Sequence, residues 1–193
     1  MVTKYIYKNY IIIRSLMNKF INTILLDTTN NSPIRIFNKK QSLLKHISNY
    51  YSEPSLIIDN IYIGNITNAR DYYRLKKLNI GLIVNCAKEI NNFFSNDFDY
   101  INLKILDIED VIIYPHLDNI VTNMHYHLQN NNTKILVHCY MGASRSVSIV
   151  IAYLIKYKGY NFEEALKVCN NKRDVVDVNV DFCNQLIMYE NSL

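Results

Sequence analysis

Cys139 and Arg145 stand six positions apart in Val137-His138-Cys139-Tyr140-Met141-Gly142-Ala143-Ser144-Arg145-Ser146. A cysteine thiolate is a nucleophile, and an arginine guanidinium is a planar fork matched to two oxygens of a phosphate. The pair can work together only if the chain turns sharply between them, and the flanks supply that turn. Lys134-Ile135-Leu136-Val137 is short, apolar and preceded by the polar run Asn130 to Thr133, so it reads as a buried strand. Val147 to Tyr157 is apolar nearly all round, with no Gly or Pro before Gly159, so it reads as a buried helix. A strand, a tight loop and a helix N-terminus leave unpaired backbone N–H groups pointing into the loop, where the helix dipole adds partial positive charge. A thiol at such a point loses its proton more readily than a free cysteine. The loop would hold a phosphate dianion beside a nucleophile, as hydrolysis of a phosphate ester through a phosphocysteine requires.

The pattern His138-Cys139-x-x-Gly142-x-Ser144-Arg145-Ser146 resembles the signature of the cysteine-dependent protein phosphatases, in the form of their dual-specificity branch. A bare Cys-x5-Arg recurs by chance. The flanking His, the Gly, the Ser after Arg and the strand-to-helix context make this match specific, against the plain alternative of a buried Cys and a surface Arg. The resemblance implies Cys139 as nucleophile and Arg145 as the fork on the phosphate. It implies the backbone N–H groups of Tyr140, Met141, Gly142, Ala143, Ser144 and Arg145 as phosphate-binding donors, with Gly142 allowing the loop to curl. Ser146 would donate to the Cys139 sulfur, or else be an ordinary Ser at a helix N-terminus. His138 would support the loop through backbone contacts, a role compatible with a satisfied core histidine. No cofactor and no metal are implied.

Such chemistry also needs a carboxylic acid to protonate the leaving oxygen. Members of the family place an Asp about thirty residues before the nucleophile, and Leu106-Asp107-Ile108-Glu109-Asp110 offers two candidates. Asp107, 32 residues before Cys139, is preferred because it aligns without gaps once His116-Leu117 is matched to the family's next helix. Asp110 needs a shift of three and is retained, with Glu109, as a supporting loop acid.

The remaining chain is an α/β pattern. Leu56 to Asn65 reads as a hairpin turning at Asp59-Asn60, Asn68 to Leu78 as a helix, Gly81 to Ala87 and Ile101 to Leu106 as strands, and His116 to Gln129 as a helix. Phe162 to Leu166, Lys172-Arg173 and Asn179 to Leu186 resemble the family's closing helices. The expected fold class is α/β, a small protein-tyrosine-phosphatase-like fold with a central, mostly parallel twisted sheet flanked by helices and an N-terminal helical extension.

Two domains are expected: an extension over 1–51 and a catalytic domain over 52–193. In the extension, Lys4 to Leu26 carries Ile6, Tyr10, Ile13, Met17, Phe20 and Ile24 at helical spacing, Asp27 to Pro33 reads as a linker, and Lys40 to Tyr50 as a second helix. Lys4 to Ser15 resembles the start of the poxvirus-type virion dual-specificity phosphatases, whose N-terminal helix is exchanged between subunits. That resemblance implies a homodimer through the N-terminal helix. Packing on its own domain and attachment to a membrane surface are the other readings of that helix.

The 193 residues are 49% hydrophobic and 20% charged, an ordinary globular balance, with a mild net charge of +4. No basic run calls for nucleic acid. Lys4, Lys8, Arg14 and Lys19 break the most apolar N-terminal stretch, so neither a membrane span nor a signal peptide is expected. Cys86, Cys139, Cys169 and Cys183 have no metal-ligand spacing. A working thiol at Cys139 points to a reducing, intracellular and cytoplasmic setting, or a virion if the source is viral.

Phosphorylated proteins are the expected partners. There is no Tyr-bearing recognition loop like that of phosphotyrosine-only enzymes, so phosphoserine, phosphothreonine and phosphotyrosine would all reach the sulfur. Tyr140 and Met141 stand where phosphoinositide phosphatases resemble one another in carrying lysines. Arg145-Ser146-Val147 departs from the Arg-Thr-Gly of RNA 5′-phosphatases, although an RNA 5′-phosphatase, another non-protein phosphatase or a phosphoprotein-binding module remain as alternatives. Cys86 is a core cysteine or, as in some members with a Cys on this strand, a redox partner for Cys139.

Overall fold

The computed structural model describes residue 48 and residues 52–193. The chain divides between residues 45 and 46, and the unit described is the one that starts at His46. The expected helix over Lys4 to Leu26 and the linker lie outside the described residues, as does the second helix over Lys40 to Tyr50 apart from residue 48.

Continuous apolar runs predict strands covered on both sides, and the three central strands of the sheet have that form. Strands β1 (Ser55–Ile58), β2 (Ile61–Gly64), β3 (Ile80–Ala87), β4 (Asp99–Ile105) and β5 (Lys134–His138) lie in the order β1-β2-β5-β3-β4. The pairings β2–β5, β5–β3 and β3–β4 are parallel, and only the β1–β2 hairpin is antiparallel. The hairpin turns at Asp59-Asn60 with Asp59 at φ 44, a conformation that Asp tolerates better than most residues.

Among the described residues, six helices cover the sheet: α1 (Ile66–Arg70), α2 (Tyr72–Lys77), α3 (Tyr114–Asn130), α4 (Arg145–Lys158), α5 (Phe162–Lys172) and α6 (Val180–Glu190). Alternation along the strands sorts their side chains between two cores. Ile61, Ile63, Leu82, Val84, Cys86, Ile135 and Val137 enter the larger core with α3, α4, α5 and α6. Tyr62, Ile83 and Leu136 face the smaller core with Ala69 of α1 and Leu75 of α2. Helix α4 is the centre of the larger core. Every residue from Arg145 to Ile155 is buried, and each fully buried Ile or Leu there contributes about 2 kcal/mol of transfer free energy. Gly159 ends α4 at φ 70, the left-handed cap that a Cβ would penalise.

Two local expectations are corrected. The single helix over Asn68 to Leu78 is two short ones, because Asp71 stops one and starts the other. Its N–H donates to Asn68 O, and its side chain accepts from Arg74 N–H at 3.0 Å. Competition between such a side chain and the helical backbone is what periodicity cannot register. Strand β4 ends at Ile105 rather than Leu106, and it carries a bulge. Asn85 faces Asn102 while Ala87 faces Ile105, so β4 has one more residue than β3 over that span, with Lys104 at φ 52.

Candidate active site

The parallel strands end on one side of the sheet, where α/β folds bind ligands, and the cysteine sits at that edge. Strand β5 ends at His138, and Cys139 opens a loop that runs into Arg145, the first residue of α4. Ser144 occupies the N-cap of α4 but makes no capping bond. Its hydroxyl instead donates to Asp107 Oδ1 at 2.7 Å and accepts from Asn179 N–H at 3.2 Å. The amides of the first turn of α4 thereby stay available to an anion.

Cys139 is 1% exposed. Gly142 N–H donates to its Sγ at 3.2 Å, and Ser146 Oγ lies 3.3 Å from the same sulfur. Gly142 is at φ 69, and a Cβ there would stand 2.5 Å from Gly64 O and from an Arg173 nitrogen. Tyr140 O accepts from Ile66 N–H at 3.1 Å, which ties the loop to the start of α1.

Arg145 is fixed from three sides. Its Nη1 contacts both oxygens of Glu89, at 2.8 and 2.9 Å, and donates to Ile105 O at 3.1 Å. Its Nε is 3.4 Å from Asp107 Oδ2 and, although buried, makes no hydrogen bond among the described residues. Burial works against the guanidinium charge, but Cys139, Glu89 and Asp107 together raise the Arg145 pKa above its ordinary value. The β4 bulge has a use here, since Ile105 O receives both Arg145 and Lys88 N–H. Glu89, Asp107, Tyr140, Met141 and Arg145 line a cavity of about 510 Å³.

Asp107 is the carboxylate the structure brings to Arg145 and Ser144. Asp110 is fixed elsewhere: at φ 63 its N–H donates to Asp181 Oδ2 of α6, and its side chain is not in the cavity lining. Gln185, one turn further along α6, completes the hold on this loop. Its Oε1 accepts from Ile113 and Tyr114 N–H at 2.6 and 3.0 Å, and its Nε2 donates to Val111 O at 2.9 Å. Helix α3 has no capping side chain of its own, so Gln185 acts as its cap from another helix.

His138 is buried with Nδ1 unpartnered among the described residues. Burial pushes its imidazole down to about 4, with Arg145 adding to the effect against a backbone bond at Cys139. It is a neutral ring at pH 7 and supplies no charge to the Cys139 sulfur. Cys86, at the end of β3, is fully buried, and burial followed by the neighbouring Cys139 pushes its thiol well up. Cys169 lies inside α5, where burial raises its thiol to about 12.

Glu89 and Arg173 are site residues that motif reading passed over. Glu89 had a signal, as a charged residue two positions beyond a buried parallel strand. Arg173 was read only as part of the family's closing helices, and its contact here had no local signal, since it reaches the loop from 31 residues away. Among the described residues, no group of three or more His, Cys, Asp or Glu could hold a metal, and no helix is long and apolar enough to cross a membrane.

Comparison with known proteins agrees with this geometry. The family model for the dual specificity phosphatase catalytic domain matches residues 61–192. Over 145 residues the chain is 39% identical to Protein phosphatase Slingshot homolog 1 of Homo sapiens, covering 73% of this chain and 13% of that protein. Over 140 residues it is 35% identical to the 123R protein of Invertebrate iridescent virus 6, covering 72% of this chain and 92% of the viral one. Among solved structures, the human tyrosine phosphatase-like serine/threonine/tyrosine-interacting protein is similar with a TM-score of 0.68 at 27% identity, over 72% of this chain and 97% of that one. The chain thus spans only a small part of the Slingshot protein but nearly the whole of the viral relative. A cysteine at a strand end, an arginine opening the next helix and an aspartate beside them lie inside the matched span, and the chain belongs to the dual-specificity phosphatase family.

Proposed function

We propose that the chain is a metal-independent phosphatase that hydrolyses phosphotyrosine, phosphoserine and phosphothreonine in proteins through a phosphocysteine. The observation that carries this reading is the buried Arg145 Nε without a hydrogen bond, beside a sulfur that already receives one loop amide. A buried donor left unmade is costly, and a phosphate oxygen would satisfy it.

The Cys139 thiolate attacks phosphorus in line. An S–P bond forms as the P–O bond to the substrate breaks, and the leaving oxygen takes a proton from the Asp107 carboxyl. Asp107 Oδ1 is held by Ser144, which leaves Oδ2, on the Arg145 side, for that transfer. Arg145 and the amides of Tyr140 to Arg145 hold the equatorial oxygens as charge develops. Water then attacks phosphorus and gives a proton to Asp107, while Ser146 donates to the departing sulfur. Asp110 keeps the loop in place through its backbone and takes no part in proton transfer. A triphosphate or multiply phosphorylated lipid would need further cations, and the cavity lining has Arg145 as its one cation.

Cys86 is read as the redox partner of Cys139. Asn85 pairs with His138 across β3 and β5, so the two cysteines follow paired positions and both belong to the larger core. Neighbouring strands run about 4.8 Å apart, inside the Cα separation a disulfide spans. The N-terminal segment is read as the seat of a homodimer, and the working thiol as a sign of a reducing, cytoplasmic setting, with a virus as one setting suggested by the iridescent virus relative.

The test is p-nitrophenyl phosphate and phosphopeptide hydrolysis from pH 4 to 9 in EDTA, for the full chain and Cys139→Ser. Activity in EDTA that Cys139→Ser abolishes is expected. Wild type that binds phosphopeptides but turns none over would replace the enzyme reading with that of a binding module. Light scattering of the full chain beside one beginning at Ser52 tests the dimer, and two monomers would end it.

A further inference from the structure

A phosphate cradle needs its amides turned inward, and a loop of seven residues has no regular structure to turn them. In a trans peptide the C=O of one residue and the N–H of the next point in opposite directions. Whatever pulls the carbonyls outward therefore aims the amides inward. In this chain Ile66 N–H holds Tyr140 O, and the groups that pull the next three carbonyls come from one segment, the connector between α5 and α6.

Arg173 opens that connector. It is 3% exposed, its Nε donates to Gly142 O at 2.6 Å, and its Nη2 donates to Met141 O at 3.2 Å. Asp177 N–H donates to Ala143 O at 2.9 Å, and Asn179 N–H donates to Ser144 Oγ at 3.2 Å. Four consecutive loop residues, Met141 to Ser144, are thus each gripped from outside by residues 173–179. The consequence is visible at the first peptide: Met141 O faces Arg173, and Gly142 N–H faces Cys139 Sγ. The same logic turns Ala143 and Ser144 N–H inward. Nη1 of Arg173 reaches Ser55 Oγ at 3.3 Å, so the fork is anchored on β1 as well.

We infer that the α5–α6 connector is a clamp that presets the anion cradle, with Arg173 as its positioning residue. This rests on the phosphatase reading for its purpose but not for its geometry. Arg173 is buried and is not among the residues lining the cavity. Its planar fork holds two adjacent carbonyls at fixed angles, which a lysine's single ammonium cannot do.

The experiment follows alkylation of Cys139 by iodoacetamide against pH in the full chain, with and without inorganic phosphate, for wild type, Arg173→Met and Arg173→Lys. Neither readout requires turnover, so a chain that hydrolyses nothing would refute the phosphatase reading and leave the clamp to be judged. Arg173→Met is expected to move the pH midpoint of alkylation up by about one unit and to weaken protection by phosphate about tenfold or more. Arg173→Lys should recover less than half of that loss. A folded Arg173→Met with lower melting temperature but unchanged midpoint and protection would make Arg173 a plain buttress and overturn the proposal. Should Arg173→Met fail to fold, Arg173→Lys decides alone: wild-type behaviour overturns the clamp, and weakened protection upholds it.

Discussion

Ser144 Oγ donates a 2.7 Å hydrogen bond to Asp107 Oδ1, joining the loop that holds Cys139 to the loop that holds Asp107 across 37 residues of sequence. The bond fixes one carboxyl oxygen and leaves the other on the Arg145 side. Asp107→Ala should lower kcat for alkyl phosphates about 10²–10⁴-fold and remove the alkaline limb of the pH profile, because that limb reports a group that must be protonated. Ser144→Ala should keep the limb and lose activity about tenfold through misplacement of the acid. Asp110→Ala should leave the limb in place. Its removal by Asp110→Ala alone would move the acid three residues along the loop.

Glu89 sets the orientation of Arg145 from the far side of the fork. Its carboxylate is partly exposed, so the ion pair itself is screened, and its value lies in geometry. Glu89→Gln keeps one acceptor and should cost a few-fold in kcat/KM, whereas Glu89→Ala frees the guanidinium and should cost about 10- to 100-fold. Melting temperatures of the two variants should stay close to each other. Equal kcat/KM for Glu89→Ala and wild type would show that Ile105 O suffices to hold Arg145.

Cys86 is predicted to protect Cys139 during oxidation. Peroxide should convert the Cys139 thiolate to a sulfenic acid, and the Cys86 thiol should then displace water to form a disulfide that thiols reduce. Wild-type activity should return fully with dithiothreitol after a peroxide pulse, and Cys86→Ser activity should return less, as sulfinic acid accumulates. Equal recovery in both would leave Cys86 as a core residue.

The His138 imidazole falls from an ordinary 6.5 to about 4 because it is buried. Between those pH values the unfolded chain binds more protons than the folded one, so stability decreases as pH falls through the window and is constant above it. The loss attributable to this group should reach about 2 kcal/mol by pH 5. Urea midpoints at pH 7 and pH 5 check it: wild type should lose more between them than His138→Gln, and equal losses would assign the acid sensitivity to other groups.

The sequence by itself determined the features carried by short stretches. Cys139, Gly142, Arg145 and Ser146 lie within eight residues, so a strand, a loop and a helix dictate their relation, and the structure places them together. Buried strands β2, β3 and β5 were legible as apolar runs, helix α3 as a helical pattern and α4 as a long segment apolar nearly all round, because burial is written into the order of residue types. Tertiary structure decided what depends on a side chain meeting a distant backbone. Asp71 divides α1 from α2, Glu89 meets Arg145 across 56 residues, Gln185 caps α3 across 72, and Arg173 turns the loop peptides from 31 residues away. The sequence already preferred Asp107 over Asp110 on a gapless match, but the contact of Asp107 with Arg145 belongs to the same class. It follows from the Lys104 bulge and the grip of Asp181 on the Asp110 amide, and neither leaves a trace in hydrophobic period or local propensity.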